Sequence, residues 1–379
     1  MKLRQTPEDF VVEEIPLGTW ASVGKYAIYS VTKTGMTSFL ARQAFARHVG
    51  VNPRNVGMAG LKDKHAKTTQ FFSAPAVTPS KGEFTERIIS SKLVGYSAEA
   101  LRTGDLIGNR FSITVRQLNS RDVNRAQKNE AHVRLGVPNY FDSQRFGSLK
   151  GTSGFVAKDI LCSYYESAVK KILTGIHPSQ PSNEKACRKF IGQHWGKWKE
   201  CIDEVEKRKI RAEIPYVLNY LIDNPTDFVG AFQSAKADIR ELYFSAYQSF
   251  VWNQCVKKLV KKTEFEVVGI NYEAGKLYFP RGPMPNESLK MVSADLDCSV
   301  RHRKVIDKVL ANEKVTLEQF KNPEHLFVSR VRETALVPSE FSMIISPDER
   351  NAGMQKAVLK FVLPKGSYAT VIVKALFEL

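Results

Sequence analysis

Cysteine is scarce and poorly spaced for ligation. The five residues, Cys162, Cys187, Cys201, Cys255 and Cys298, form no CxxC pair anywhere in 379 positions. An odd, scattered set suits reduced, mostly buried thiols better than a disulfide framework. Cys187, His194 and Cys201 recur at intervals of seven and could share a helix face, but Gly192 and Gly196 interrupt such a helix. Packing is therefore expected of them, and no metal. Long apolar runs are also lacking: none approaches the roughly 18–20 residues that span a bilayer. The opening MKLRQTPEDFVVEE is charged where a secretory signal carries its apolar centre, so a cytoplasmic protein is expected, or a nuclear one in a eukaryote. No Walker-type phosphate loop occurs. GQHWGKW, at 192–198, has the wrong spacing and no Ser or Thr after Lys197, so no nucleotide cofactor is expected. Low-complexity tracts and fixed-period repeats are absent as well.

Acidic residues are outnumbered. Fifty-six Lys and Arg face thirty-nine Asp and Glu, a net charge of +17. An excess of this size points to a polyanion, because Lys and Arg displace counterions from phosphates. The basic clusters KRKIR (207–211), KKLVKK (257–262) and RHRK (301–304) are spread along the chain. Each alone is explained as a solvated helix face; together they predict an extended basic surface. None lies on a strongly apolar amphipathic helix, which favours nucleic acid over a membrane surface.

The first 150 residues alternate strands and helices. YAIYSV (26–31), TTQFFSA (68–74) and RFSITVRQ (110–117) are β-rich. TSFLARQAFARHV (37–49) is a predicted helix, capped by Thr37 or Ser38, with Phe39, Leu40 and Phe45 near one face and Gly50 at its end. Residues 120–133 are also helical by pattern. From about 158 to 325 the pattern turns to long helices, at 158–173, 199–209, 236–262 and 299–312, broken by HPSQPSN (177–183) and PRGPMPNES (280–288). A strand at 356–364 and a helix at 367–376, capped by Ser367, then close the chain. The terminal strand needs a sheet, and the candidate sheet lies in the first 150 residues. An α+β fold in two lobes follows, one interrupted by the other, with a basic cleft between them.

Chemistry concentrates in GMAGLKDKHAKTTQFF, residues 57–72. Asp63 stands between Lys62 and Lys64 with no other carboxylate within ten residues on either side. A charged trio at a turn is ordinarily solvated. Yet Gly57, Ala59 and Gly60 let backbone approach closely, and the flanking cations favour a carboxylate over a carboxylic acid. An ionised, positioned carboxylate serves as nucleophile or base, while Lys62 and Lys64 would hold backbone phosphates. GVPNYFDSQRFG (136–147) carries Tyr140, Phe141 and Phe146 in a Pro- and Gly-containing loop beside Asn139, Gln144 and Arg145. Exposed loop aromatics of this kind stack on an unstacked base while polar side chains meet its edges; the plain alternative is a well-packed aromatic loop. In LPKGSYAT (363–370), Tyr368 falls at a helix start beside Lys365 and Gly366, where an anion or base could sit.

These segments resemble the TruD-type pseudouridine synthases. AGLKDKHAKTTQFF, VPNYFDSQRFG, FSAYQSFVWNQ (244–254) and FVLPKGSYATVIVKAL follow in the family's order, and TPEDFVVEE (6–14) and LRTGDLIGNRFSITVR (101–116) fit as well. The resemblance runs from about residue 2 to 376, weakest across 174–235 and 264–330. It implies isomerisation of a uridine in RNA to pseudouridine, chiefly uridine thirteen of tRNA, without metal or cofactor; a monomer is expected. It implies a pseudouridine-synthase core with a mixed or antiparallel sheet (1–157 and 336–379), interrupted by a mainly helical α+β insertion (158–335). By motif, Asp63 is the catalytic aspartate, Asn139 its hydrogen-bonding neighbour, and Phe141 the ring that stacks on uracil. Tyr368 stands where bacterial members tend to have Phe. Arg4 matches a basic position that pairs with the aspartate. Lys62, Lys64, Arg145 and Lys365 are the expected RNA contacts. Two other classes compete. A non-catalytic RNA-binding or chaperone protein would not need Asp63, and a metal-dependent nuclease would need converging carboxylates.

Overall fold

Strands that bury every second side chain build the central sheet. In Phe10–Pro16 the inward positions are Phe10, Val12 and Glu14, and in Tyr26–Thr34 one phase runs through Tyr29, Val31 and Lys33. The structure, a computed structural model, describes residues 1–76, 82–149, 151–152, 154–177, 180–210, 213–321 and 326–379. Residues 178 and 179 of the expected Pro/Ser break, and Arg211 of the KRKIR cluster, lie outside these. The chain divides into two units, Met1–Val137 with Leu336–Leu379, and Pro138–Ala335. The expected boundary at 157/158 falls inside the second unit, and that at 335/336 coincides with the return to the first.

In the first unit the sheet is mixed, in the order Ser339–Pro347, Gln355–Pro364, Leu106–Leu118, Phe10–Pro16, Lys67–Pro75, Tyr26–Thr34, Ile89–Ser97, Phe84–Thr85. Neighbours along this path are antiparallel except Phe10–Pro16 and Lys67–Pro75, which run parallel with Val11 opposite Lys67. A parallel pair requires a crossover. Here the crossover contains the strand Tyr26–Thr34, the helix Ser38–Val49 and the turn that bears Asp63. The register therefore brings residues just before Lys67 to the sheet end that also carries the residues before Phe10.

The crossover helix starts where Thr37 Oγ1 accepts the Leu40 N–H at 3.2 Å and stops at Gly50, whose φ of 77° suits glycine. Its inner face is Ala41, Ala44, Phe45, Ala46 and Val49, with Phe45 edge-on to Tyr29 and Phe72. Phe39 and Leu40 depart from expectation: each is 52% exposed, because helical spacing from Phe45 carries the inner stripe through Ala41 instead. At the other end of the unit the helices Ser120–Leu135 and Ala369–Phe377 pack together. The side chains of Arg125 and Asn129 donate to the Phe377 and Leu376 carbonyls at 2.7 and 3.0 Å, satisfying the final helix's unpaired carbonyls. Tyr368, not Ser367, holds the cap position of that last helix, and no side chain caps it.

The second unit is mainly helical. The single helix expected at 158–173 is two, Val156–Leu161 and Tyr165–Thr174, separated at Ser163 with φ 61°. Ser182–Gln193, Ile214–Asp223 and Phe228–Ser234 are further helices that lay between the expected ones. The 24-residue helix Ala237–Val260 carries buried polar residues as well as apolar ones: Gln248, Ser249 and Asn253 are all buried. Val267–Tyr272 and Gly275–Pro280 form a hairpin, and Ser288–Lys290 pairs with Val331–Glu333. Among the described residues no helix is long and apolar enough to cross a membrane, and no group of three or more His, Cys, Asp or Glu is placed to hold a metal.

Candidate active site

The turn bearing Asp63 begins with Gly57, which only glycine can occupy: a Cβ there would lie 2.4 Å from the Leu101 carbonyl oxygen and 2.5 Å from Ser73 Oγ. The chain then leaves the short ladder Gly57–Met58 and reaches Asp63, whose side chain is 14% exposed. Its Oδ1 accepts the His65 N–H at 3.1 Å, a local turn bond typical of aspartate. Its Oδ2 meets Arg4 Nη2 at 2.8 Å. Arg4 adopts the left-handed backbone (φ 57°) and lays its guanidinium over the Phe10 ring, 4.1 Å from the centroid. A non-glycine residue held there costs energy that surrounding contacts must offset, and the ion pair and the ring contact are two such contacts.

Three residues that sequence reasoning passed over hold this turn. Lys33 is fully buried, and its ammonium donates to the carbonyl oxygens of Asp63 (2.8 Å) and Met36 (2.6 Å). Burial lowers the Lys33 pKa from 10.5 to about 8; attraction from Asp63 opposes the shift and repulsion from Lys62 adds to it. Ser38 Oγ accepts the Lys62 N–H at 2.8 Å and donates to Gln70 Oε1 at 2.9 Å. Glu14, its side chain fully buried, pairs with the Lys62 ammonium and accepts the Phe71 N–H at 3.2 Å. The available signal was phase: Lys33 and Glu14 both fall on the inward positions of strands whose other inward residues are apolar.

Lys62 therefore departs from the sequence expectation. Its side chain is 6% exposed and engaged by Glu14, so it is not presented to a phosphate. Lys64, one residue on from Asp63, is exposed with no ion-pair partner among the described residues. Lys365 is exposed too, and its ammonium donates to the Gly104 carbonyl at 2.8 Å. Gly104 in turn donates to the Ala59 carbonyl at 2.7 Å, which ties Lys365 to the small-residue run ahead of Asp63. Tyr368 is half-buried at the start of the last helix.

The second unit places the other expected residues. Asn139 is buried, with its amide nitrogen donating to the Glu333 carbonyl at 2.8 Å and its Oδ1 accepting from Arg332 Nη2 at 2.6 Å. Trp252 Nε1 donates to its backbone carbonyl at 2.9 Å. The loop aromatics are not exposed as expected: Tyr140 and Phe146 are fully buried and Phe141 is 8% exposed. The cause is the long helix Ala237–Val260. Its Asn253 clasps Phe141 through both backbone groups, accepting from the N–H (2.9 Å) and donating to the carbonyl (2.8 Å). Burial pushes the Tyr140 phenol far above its usual range, and its hydroxyl donates to the Tyr278 carbonyl at 2.8 Å. Over the Phe141 ring lie two cations, the Arg332 guanidinium 4.3 Å and that of Arg145 5.7 Å from the centroid. Arg332 is a further residue missed in sequence, because its strand Val331–Glu333 carries no motif. Arg145 also donates to Ser249 Oγ at 3.0 Å.

The basic clusters divide. Arg301 and Arg303 are paired with Glu287 and Asp307, both at 2.8 Å, the ordinary condition of surface helix charges. Lys257 and Lys261 instead face one ring, lying 4.9 and 4.5 Å from the Tyr278 centroid.

Set against known proteins, the chain matches the family model described as tRNA pseudouridine synthase D (TruD) over residues 1–271 and 274–376. It is 33% identical to "Probable tRNA pseudouridine synthase D 2" of Methanocaldococcus jannaschii, the match covering 100% of this chain and 92% of that protein. It is 28% identical to "tRNA pseudouridine synthase D" of Leptospira interrogans, covering 99% and 95%. The crystal structure of a TruD candidate from Methanosarcina mazei superimposes with a TM-score of 0.73 at 27% identity, covering 100% of this chain and 93% of that one.

Proposed function

The chain belongs to the TruD family of tRNA pseudouridine synthases, and from that premise we propose that it isomerises uridine 13 of tRNA with Asp63 as the catalytic aspartate. The observation that carries this reading is the Arg4–Asp63 pair at 2.8 Å, in which a cation holds the carboxylate of the family-like segment AGLKDKHAKTTQFF. Isomerisation breaks the bond between C1′ and N1, turns the uracil, and joins C1′ to C5; C5 gives up its hydrogen as a proton and N1 takes one up, so the product is an isomer of the substrate. Positive character develops on the sugar as the base departs, and a fixed carboxylate stabilises or captures it. The guanidinium of Arg4, 2.8 Å from Oδ2, keeps the Asp63 carboxylate oriented.

The detached base must be held until it rejoins, which the ring of Phe141 would do by stacking, with Tyr368 as a second wall. Asn139, its amide oriented by Arg332 and by the Glu333 carbonyl, would support the aspartate or the base edge. Lys64, Arg145 and Lys365 would contact the RNA backbone. The first unit is read as the catalytic core and the second as the family's insertion; the enzyme would act as a monomer, without cofactor, where tRNA matures in the cytoplasm. The test is tritium release from tRNA transcripts labelled at uridine C5, with the modified position mapped, for wild type beside Asp63→Asn. The variant should lose pseudouridine formation and keep tRNA affinity within a few-fold. Full activity of Asp63→Asn would overturn the assignment.

A further inference from the structure

We propose that Lys33 is a positioning residue that sets the Asp63 turn through its backbone. The proposal rests on reading Asp63 as the catalytic carboxylate. Lys33 bonds two carbonyl oxygens that are far apart in sequence, Met36 at 2.6 Å and Asp63 at 2.8 Å, and so joins the start of the crossover helix to the turn. Ser38 repeats the connection one residue earlier in the turn, accepting the Lys62 N–H at 2.8 Å while bonded to Gln70. The turn is thus held from below at the backbone of residues 62 and 63. The Asp63 side chain is held separately, by Arg4 at 2.8 Å.

A buried lysine is a costly way to satisfy two carbonyls. Its depressed pKa, about 8, records the penalty that burial places on its charge. A neutral donor would serve packing alone at smaller cost, whereas an ammonium beneath the turn also adds fixed positive charge under the aspartate. Sites that keep a destabilising group in this manner are those where geometry, not stability, is under demand. The inward phase of Tyr29, Val31 and Lys33 shows that an apolar residue would otherwise belong at this position.

The test compares Lys33→Met, which keeps length and volume but removes the donors, with wild type and Asp63→Asn. Single-turnover tritium release, tRNA dissociation constants and thermal melts are measured on each. For folded Lys33→Met the single-turnover rate should fall about tenfold to a hundredfold, as expected for a catalytic group displaced by a fraction of an ångström to an ångström, with tRNA affinity within about twofold. A purely structural lysine would instead lower the melting temperature and leave the rate of the folded fraction at the wild-type value, and that result would overturn the proposal. Should Lys33→Met not fold, Lys33→Gln, which retains two N–H donors on a shorter arm, carries the test. It should show a rate loss at unchanged affinity, and a wild-type rate, or loss of affinity in step with rate, would overturn it. Activity in Asp63→Asn would remove the premise, whereas a dead Asp63→Asn beside a fully active Lys33→Met would refute the positioning role alone.

Discussion

Replacing Lys62 by methionine should damage stability and leave RNA binding nearly untouched, the reverse of what its place beside Asp63 suggests. The pair with Glu14 is buried on both sides, with side-chain exposures of 6% and 0%. Without the ammonium, the Glu14 carboxylate retains, among the described residues, only the Phe71 N–H at 3.2 Å. Removing one partner of a buried pair leaves an uncompensated charge and costs about 3–5 kcal/mol. For a unit of this size each kcal/mol lowers the melting temperature by about 2–4 °C, so the loss should be about 6–20 °C. The double variant Glu14→Gln with Lys62→Met removes both charges and should recover most of this, because the stranded carboxylate is gone. The assays are urea and thermal melts of the two single variants and the double, with tRNA binding measured from 50 to 200 mM salt. A lysine that neutralised a phosphate would take about one unit from the salt slope when replaced. If Lys62→Met melts with wild type and lowers that slope by about one, the buried pair is not what holds Lys62 and the reasoning fails.

Wild-type tRNA affinity itself should fall by about 10³-fold or more between 50 and 200 mM salt for roughly six phosphate contacts, and a flat response in a filter-binding series would mean that the +17 charge serves another purpose. Because the folded-state pKa of Lys33 (about 8) lies below its unfolded value of 10.5, the unfolded chain binds more protons between these limits and stability contributed through Lys33 rises as pH climbs from about 8 to 10.5, by at most about 3 kcal/mol. Urea unfolding at pH 7 and 10 should show this gain in wild type relative to Lys33→Met, and a gain of opposite sign would contradict the burial argument. Phe141→Ala should cost about 3–5 kcal/mol, as for a core phenylalanine, and should also slow single-turnover chemistry at least about tenfold, since stacking on a base is worth about 1–3 kcal/mol. A normal rate for the folded fraction would leave Phe141 a packing residue only.

Much of the first unit was legible in one dimension because its causes are local. Alternation marked the strands around Tyr26, Thr68 and Phe111, and Thr37 and Gly50 marked a helix by chemistry that acts within one turn. Within the second unit that locality failed. The helix Ile214–Asp223 has no side-chain cap at its start and is held by packing against other helices, and its weak local signals, Pro215 in the first turn and Asn224–Pro225 at the end, were passed over. At the site, the residue types were readable and their surroundings were not. Lys62 and Lys64 are equivalent in the string KDK. One is buried because Glu14, forty-eight positions earlier, lies inward on a strand that pairs in parallel with Lys67–Pro75. Phe141 looked like a loop ring and is buried because Asn253, 112 positions later, grips its backbone from a helix. Arg4 and Asp63 meet for the same reason as Glu14 and Lys62, a parallel register that only the folded crossover establishes. The sequence by itself determined the chemical groups, their local turns and the inward phase of Lys33. The tertiary structure decided which charges are buried together, because burial depends on partners that are distant along the chain and adjacent only after the sheet has closed.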